Sequence, residues 1–132
     1  MNTNYILDEH KGTIQSDVST NLLMRHLNSF IDNDLQAVML DYTDQSVFIT
    51  QDATYIGLNE IKEFFTNLMI HFPKQKCLFE LDKMVVKNEL GFIVWHATTP
   101  SLVVSLGTDT FIIKDEKILQ QTFAGQMSYS NQ

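Results

Sequence analysis

The sequence is poor in most of the residues that announce a chemistry. It has one cysteine, Cys77, so no internal disulfide can form and a reducing compartment fits. Its five glycines are scattered at 12, 57, 91, 107 and 125, which makes no phosphate-binding loop. Its four histidines, at 10, 26, 71 and 96, show neither H-x-H nor H-E-x-x-H spacing, so no metal site is expected. Basic residues are few: 9 Lys and Arg against 16 Asp and Glu, a formal charge of −7. That balance argues against nucleic acid and anionic membrane as partners, because both need a concentrated positive surface. No apolar run approaches the roughly 18 residues that span a bilayer. Residues 1–18 are polar, without the basic-then-apolar layout of a secretion signal, and a cytoplasmic location is expected.

What is present is a globular composition. At 132 residues, 44% hydrophobic and 11% aromatic, the chain suits one domain with a real core. Residues 1–17 show no sustained period and read as a flexible lead-in, leaving a single domain over 18–128. Ser19 or Thr20 can cap a first helix, in which Leu23, Leu27, Phe30 and Ile31 follow helical spacing. Asp34 can cap a short second helix carrying Leu35, Val38 and Met39. The clearest helix opens near Asn59: Ile61, Phe64, Phe65, Leu68, Met69 and Phe72 share one face, and Pro73 stops it.

Short strands are predicted at 46–50 and 54–57. From about residue 77 the period changes to two, predicting strands near 77–88, 91–99, 102–114 and 117–127. Helices first and a meander after is an α+β pattern.

Alternation then places side chains. Unbroken pairing through the turn at Pro100 puts Asp109 opposite Phe92, and gives one face Phe92, Val94, His96, Asp109 and Phe111. The other face carries Ile93, Trp95, Val104, Leu106 and Ile112 and is too apolar for water. Helices can cover one side of the sheet. A second subunit is the expected cover for the other, through a homodimer in which Trp95 is a contact.

Asp109 is the residue that needs a reason, since aspartate disfavours strands and is seldom buried without a partner. The reading is a polar group at the bottom of an apolar pocket, with its pKa raised if desolvated. His26 lies between Leu22/Leu23 and Phe30 and faces inward. His96 suits general acid or base work near neutral pH. Gln121 projects with Phe123 from the last strand and can orient a ligand carbonyl. Phe30, Phe48, Tyr55, Phe64, Phe65, Phe111 and Phe123 can wall the cavity. Cys77 follows Lys74 and Lys76, which can lower a thiol pKa, but no histidine is placed beside it.

The stretch "FIDNDLQAVMLDYTDQSVFITQDATYIGLNEIKEFFTNL" orders helix, acidic break, short helix, strand and a "G-x-x-x-I-x-x-F" helix start. "LGTDTFIIKDEKILQQTFAG" pairs an aspartate-bearing strand with a closing hairpin. Together they resemble the nuclear transport factor 2-like superfamily, in its SnoaL-like and ketosteroid isomerase-like branch. The resemblance implies a cone, a curved mixed-to-antiparallel sheet wrapped around three N-terminal helices, with a pocket at its open end. It also implies a cofactor-free isomerase, cyclase or dehydratase acting on a hydrophobic, oxygen-bearing molecule. The oxyanion-hole aspartate of ketosteroid isomerases falls on Asp109, their oxyanion tyrosine on His26 and their general base on Thr50, which carries no carboxylate. A His26/His96/Asp109 set resembles the histidine-plus-aspartate dehydratases of the superfamily. The same fold also serves non-catalytic dimeric binding modules, which is the second expectation.

Overall fold

The first helix starts earlier than its apolar spacing suggests. In the computed structural model, which describes residues 6–8 and 13–130, Thr13 is the cap of α1 (Ile14–Ile31) and its hydroxyl accepts from the Ser16 backbone N–H. Ser19 and Thr20 therefore lie inside the helix, where Ser19 Oγ donates to the Asn88 carbonyl at 2.7 Å. The first turn is polar and has no apolar stripe to reveal it. Of the expected lead-in, Ile6–Asp8 form a strand, β1, and residues 14–17 are helical. Residues 1–5 and 9–12 lie outside the described residues.

Asn33, at φ 54°, ends α1, and its side-chain amide donates to the carbonyls of Met69 and Phe72, fastening α1 to the end of the third helix. Asp34 caps α2 (Leu35–Met39) as predicted, accepting from the Ala37 N–H at 3.1 Å. β2 (Val47–Thr50) and β3 (Thr54–Ile56) follow, then α3 (Gly57–Met69), which turns Ile61, Phe65 and Met69 into the core.

The meander is β4 (Leu78–Lys87), β5 (Leu90–Thr98), β6 (Leu102–Lys114) and β7 (Lys117–Tyr129). Asp115 and Glu116, both at positive φ, make the tight turn between β6 and β7. The seven strands run in the order β1-β4-β5-β6-β7-β2-β3, with β1–β4 and β2–β7 parallel and the rest antiparallel. The three helices cover the inner face of this curved sheet, and the core lies between. Among the described residues, no helix is long and apolar enough to cross a membrane.

One irregularity decides the site. Ala97 pairs with Val104, but Trp95 pairs with Gly107, so β6 places Ser105 and Leu106 opposite the single His96. The extra residue flips the strand. Leu102 and Val104 point inward, Ser105 and Leu106 both point out, and Gly107, Asp109, Phe111 and Ile113 point inward again. Asp109 is consequently opposite Ile93, not Phe92.

Candidate functional site

The inner face now carries Ile93, Trp95 and Ala97 from β5 beside Asp109 from β6, the reverse of the unbroken register. Trp95 is therefore not a contact on the outer face of the sheet. It is 6% exposed, and its indole lies over Gly107, where a Cβ would come within 2.5 Å of the ring. Only glycine permits that approach. The rings of Phe79 and Phe123 stack near it, at centroid distances of 5.1 and 5.9 Å.

Asp109 is the polar centre of this wall. Trp95 Nε1–H donates to Oδ1 at 2.8 Å, and the Gln121 amide donates to Oδ2 at 2.9 Å. Burial pushes the Asp109 pKa up from 3.8 to about 6, with these two hydrogen bonds pulling the other way. Gln121 Oε1 in turn accepts from the Tyr42 hydroxyl at 2.5 Å. Tyr42 Oη lies 3.3 Å from His26 Nε2, and His26 Nδ1 lies 2.8 Å from Asp41 Oδ2. Arg25 closes the row, donating to Asp41 Oδ1 at 2.7 Å. Burial raises the Asp41 pKa, but hydrogen bonds and charge from His26 and Arg25 outweigh it and leave it below 3.8. Burial, with Asp109 and Asp41 nearby, holds the Tyr42 phenol well above 10, so it stays neutral.

Behind Asp109 lies a cavity of about 50 Å³. His26, Asp109, Gln121, Phe30, Phe48, Phe65, Phe111 and Phe123 all border it. Trp95, Phe64 and Phe79 complete most of the remaining wall. The space suffices for a few water molecules. Next to it is a groove of about 310 Å³, which shares Phe64, Leu68 and Phe123 with the cavity. Thr50 and Tyr55 border the groove and not the cavity. Thr50 Oγ1 is occupied within its own turn, accepting from the N–H groups of Asp52 and Ala53.

His96 is not part of this set. The same register step leaves it on the outer face, where Nδ1 meets Asp82 at 2.7 Å and Nε2 lies 3.4 Å from Glu80. The hydrogen bond to Asp82 and the two negative charges raise its pKa above 6.5, against a smaller opposing effect of burial. Glu80, Asp82 and His96 are the one group of potential metal ligands among the described residues. Its two carboxylates sit on different ring nitrogens, an arrangement that caps an imidazolium rather than chelates an ion. Cys77 is not activated: its thiol lies 3.1 Å from the Pro73 carbonyl, and burial pushes its pKa up.

Arg25, Asp41, Tyr42 and Trp95 are members of the site that the sequence alone does not assign to it. Asp41 and Tyr42 sit in the loop after α2, where no period assigns a face. Trp95 was put on the wrong side by the missing register step.

No protein-family model and no curated protein matches this sequence. Solved structures do. An NTF2-like protein of unknown function from Mesorhizobium loti superposes with a TM-score of 0.72 at 14% identity, over 92% of this chain and 98% of its own. A ketosteroid isomerase-like protein from Erwinia carotovora atroseptica gives 0.61 at 14% identity, over 86% of this chain and 98% of its own. A candidate SnoaL-like polyketide cyclase from Shewanella denitrificans gives 0.61 at 17% identity, over 83% of this chain and 90% of its own. At these identities the likeness is one of fold.

Proposed function

With the NTF2-like fold as its scaffold, we propose that this chain is a small-molecule-pocket protein of the SnoaL-like kind, taking a hydrophobic, oxygen-bearing ligand whose oxygen meets Asp109. The observation that carries the reading is a carboxyl group buried in an aromatic wall with its pKa lifted to about 6. In its protonated form, which that shift brings within reach near neutral pH, the carboxyl can donate a hydrogen bond to a carbonyl or to an oxyanion forming from it. The chemistry it suits is cofactor-free proton transfer: isomerisation, cyclisation or dehydration. A ligand larger than the cavity of about 50 Å³ enters by parting Phe64, Leu68 and Phe123, which opens the cavity into the groove. A cytoplasmic site of action suits the unpaired Cys77.

Trp95 makes the test direct, because it is the one tryptophan in the chain and it touches Asp109. Titration with small phenols and cyclic enones is expected to change its fluorescence saturably in the native protein and to lose affinity at least tenfold in Asp109→Leu. No saturable response to any of them would overturn the pocket reading.

The non-catalytic module remains the second reading, favoured by two observations. The cavity is far below the 300–1,000 Å³ of ordinary ligand sites. Every described buried side-chain polar atom already has a partner, so Asp109 needs no ligand to complete it.

The expected homodimer through the sheet is supported by Leu78, Leu90, Val103 and Leu106, which are 43–54% exposed on strands of the meander. Sedimentation equilibrium is expected to give twice the chain mass of 15.2 kDa, and a 15.2 kDa species at micromolar concentration would overturn it.

A further inference from the structure

The buried row from Asp41 to Asp109 can be counted hydrogen by hydrogen. Each of its four contacts, Asp41–His26, His26–Tyr42, Tyr42–Gln121 and Gln121–Asp109, needs one hydrogen between its two heavy atoms. Two donors or two bare lone pairs facing each other would leave a buried group unsatisfied.

Gln121 turns its Nε2 to Asp109 and its Oε1 to Tyr42. The Gln121–Asp109 hydrogen then comes from the amide and the Tyr42–Gln121 hydrogen from the phenol. Tyr42 has one hydrogen and keeps it, so the His26–Tyr42 contact must be filled by a hydrogen on His26 Nε2. Asp41, held anionic by Arg25 and by burial-resisting hydrogen bonds, takes its hydrogen from His26 Nδ1. In this arrangement His26 carries both ring hydrogens and Asp109 is a carboxylate.

With Asp41 anionic and no buried hydrogen left unmatched, a half turn of the Gln121 amide gives the only other arrangement with every contact filled. Gln121 Nε2 now donates to Tyr42, Tyr42 donates to His26 Nε2, His26 Nδ1 still donates to Asp41, and Asp109 Oδ2–H donates to Gln121 Oε1. Passing between the two breaks the Nε2–H bond of His26 and forms the Oδ2–H bond of Asp109. The number of protons and the net charge of the row are unchanged.

We propose that Tyr42 and Gln121 join His26 and Asp109 into a switch holding one mobile proton, with Asp109 neutral only when His26 is neutral. The inference rests on the reading of Asp109 as the polar group of the pocket, and it adds Asp41, Tyr42 and Gln121 as positioning residues. Its consequence is that the pocket presents an acid or a base without a change in the charge of the cone interior. The charged and titratable groups facing the row are Arg25 and Asp41 at one end, Tyr42 within it and Asp109 at the other. The remaining ring neighbours of His26 are Phe65 and Phe111. Burial brings Asp109 to about 6, where a carboxyl can compete with an imidazole for a proton.

The test is nitrogen NMR of the histidine rings in the ligand-free full chain at pH 7. In the native protein both His26 nitrogens are expected to carry hydrogen. Asp109→Asn fixes the second arrangement, with the Asn Oδ1 accepting from Trp95 and its Nδ2 donating to Gln121. The His26 Nε2 resonance is then expected to move to the position of an unprotonated ring nitrogen.

Tyr42→Phe cuts the row, and in that background Asp109→Asn is expected to leave the His26 resonances in place. Gln121→Met makes the same cut at the next link and replaces Tyr42→Phe if that variant fails to fold. An equal response with and without Tyr42 would mean that charge acts through space and no switch exists. No response in either background would overturn the proposal as well. A protein that binds none of the probe ligands but shows the coupled shift would refute the pocket reading and leave the switch standing.

Discussion

Asp41→Ala is expected to be the most damaging single substitution in the site, costing about 3–5 kcal/mol of folding stability. The carboxylate is 3% exposed and receives hydrogen bonds from two cationic or titratable groups, so its removal leaves the His26 ring N–H buried without an acceptor. Arg25 contributes less to the loss, because its side chain is 62% exposed and turns to water. Urea unfolding should show the loss as a lower midpoint at unchanged slope. A loss below about 1 kcal/mol would show that the buried pair contributes no more than a surface pair does.

The pH dependence has a defined sign. The folded-state pKa of Asp41 lies below 3.8, so on acidification the unfolded chain takes up this proton before the native protein does. The stabilisation is complete above the unfolded value and is lost as pH falls through the folded one. The difference between native protein and Asp41→Ala should therefore shrink as the pH falls below about 4.

Asp109 is expected to separate shape from charge. Asp109→Leu leaves the Trp95 indole N–H and the Gln121 amide without their acceptor, at about 1–3 kcal/mol for each buried donor. Burial of the leucine offsets part of this, so a net loss of about 2 kcal/mol is expected, together with a shift in Trp95 emission. Asp109→Asn keeps an acceptor for Trp95 and a donor or acceptor for Gln121. Because the fold holds the Asp109 carboxyl as a weaker acid than the unfolded chain does, the uncharged asparagine is expected to match or exceed native stability at pH 7. Asparagine as costly as leucine would mean that the negative charge itself holds the wall together.

The elements were legible because their signals are local. The apolar stripe of α3, the Asp34 cap and the turn residues of the meander act within a few residues of themselves, and β2 to β7 lie within two residues of their predicted ends, whereas β1 falls in the expected lead-in. The start of α1 gives no such signal, since the residues it turns inward there, Ser16 and Ser19, are polar while the apolar Ile14 faces out. His26, Asp109 and Gln121 could be chosen from sequence because each sits on a periodic element whose neighbours are apolar. Asp41 and Tyr42 could not, because the loop after α2 has no period and it is held by chain more than 70 residues away, Ile118 N–H on the Asp41 carbonyl and Gln121 on the Tyr42 hydroxyl.

Local patterns in the sequence are enough for an α+β chain with three helices and an antiparallel meander, while the mixed sheet is what the family resemblance implied. The same patterns place an aspartate and a histidine on apolar faces. Only the tertiary structure decided which residues meet them. One extra residue in β6, at Ser105–Leu106, leaves composition and spacing looking unbroken yet reverses the face of everything on one side of it. It brought Trp95 to Asp109 and sent His96 to the outer surface. A strand's period fixes which residues share a face, whereas the side that face takes depends on pairing with its neighbours, and pairing is a property of the assembled sheet.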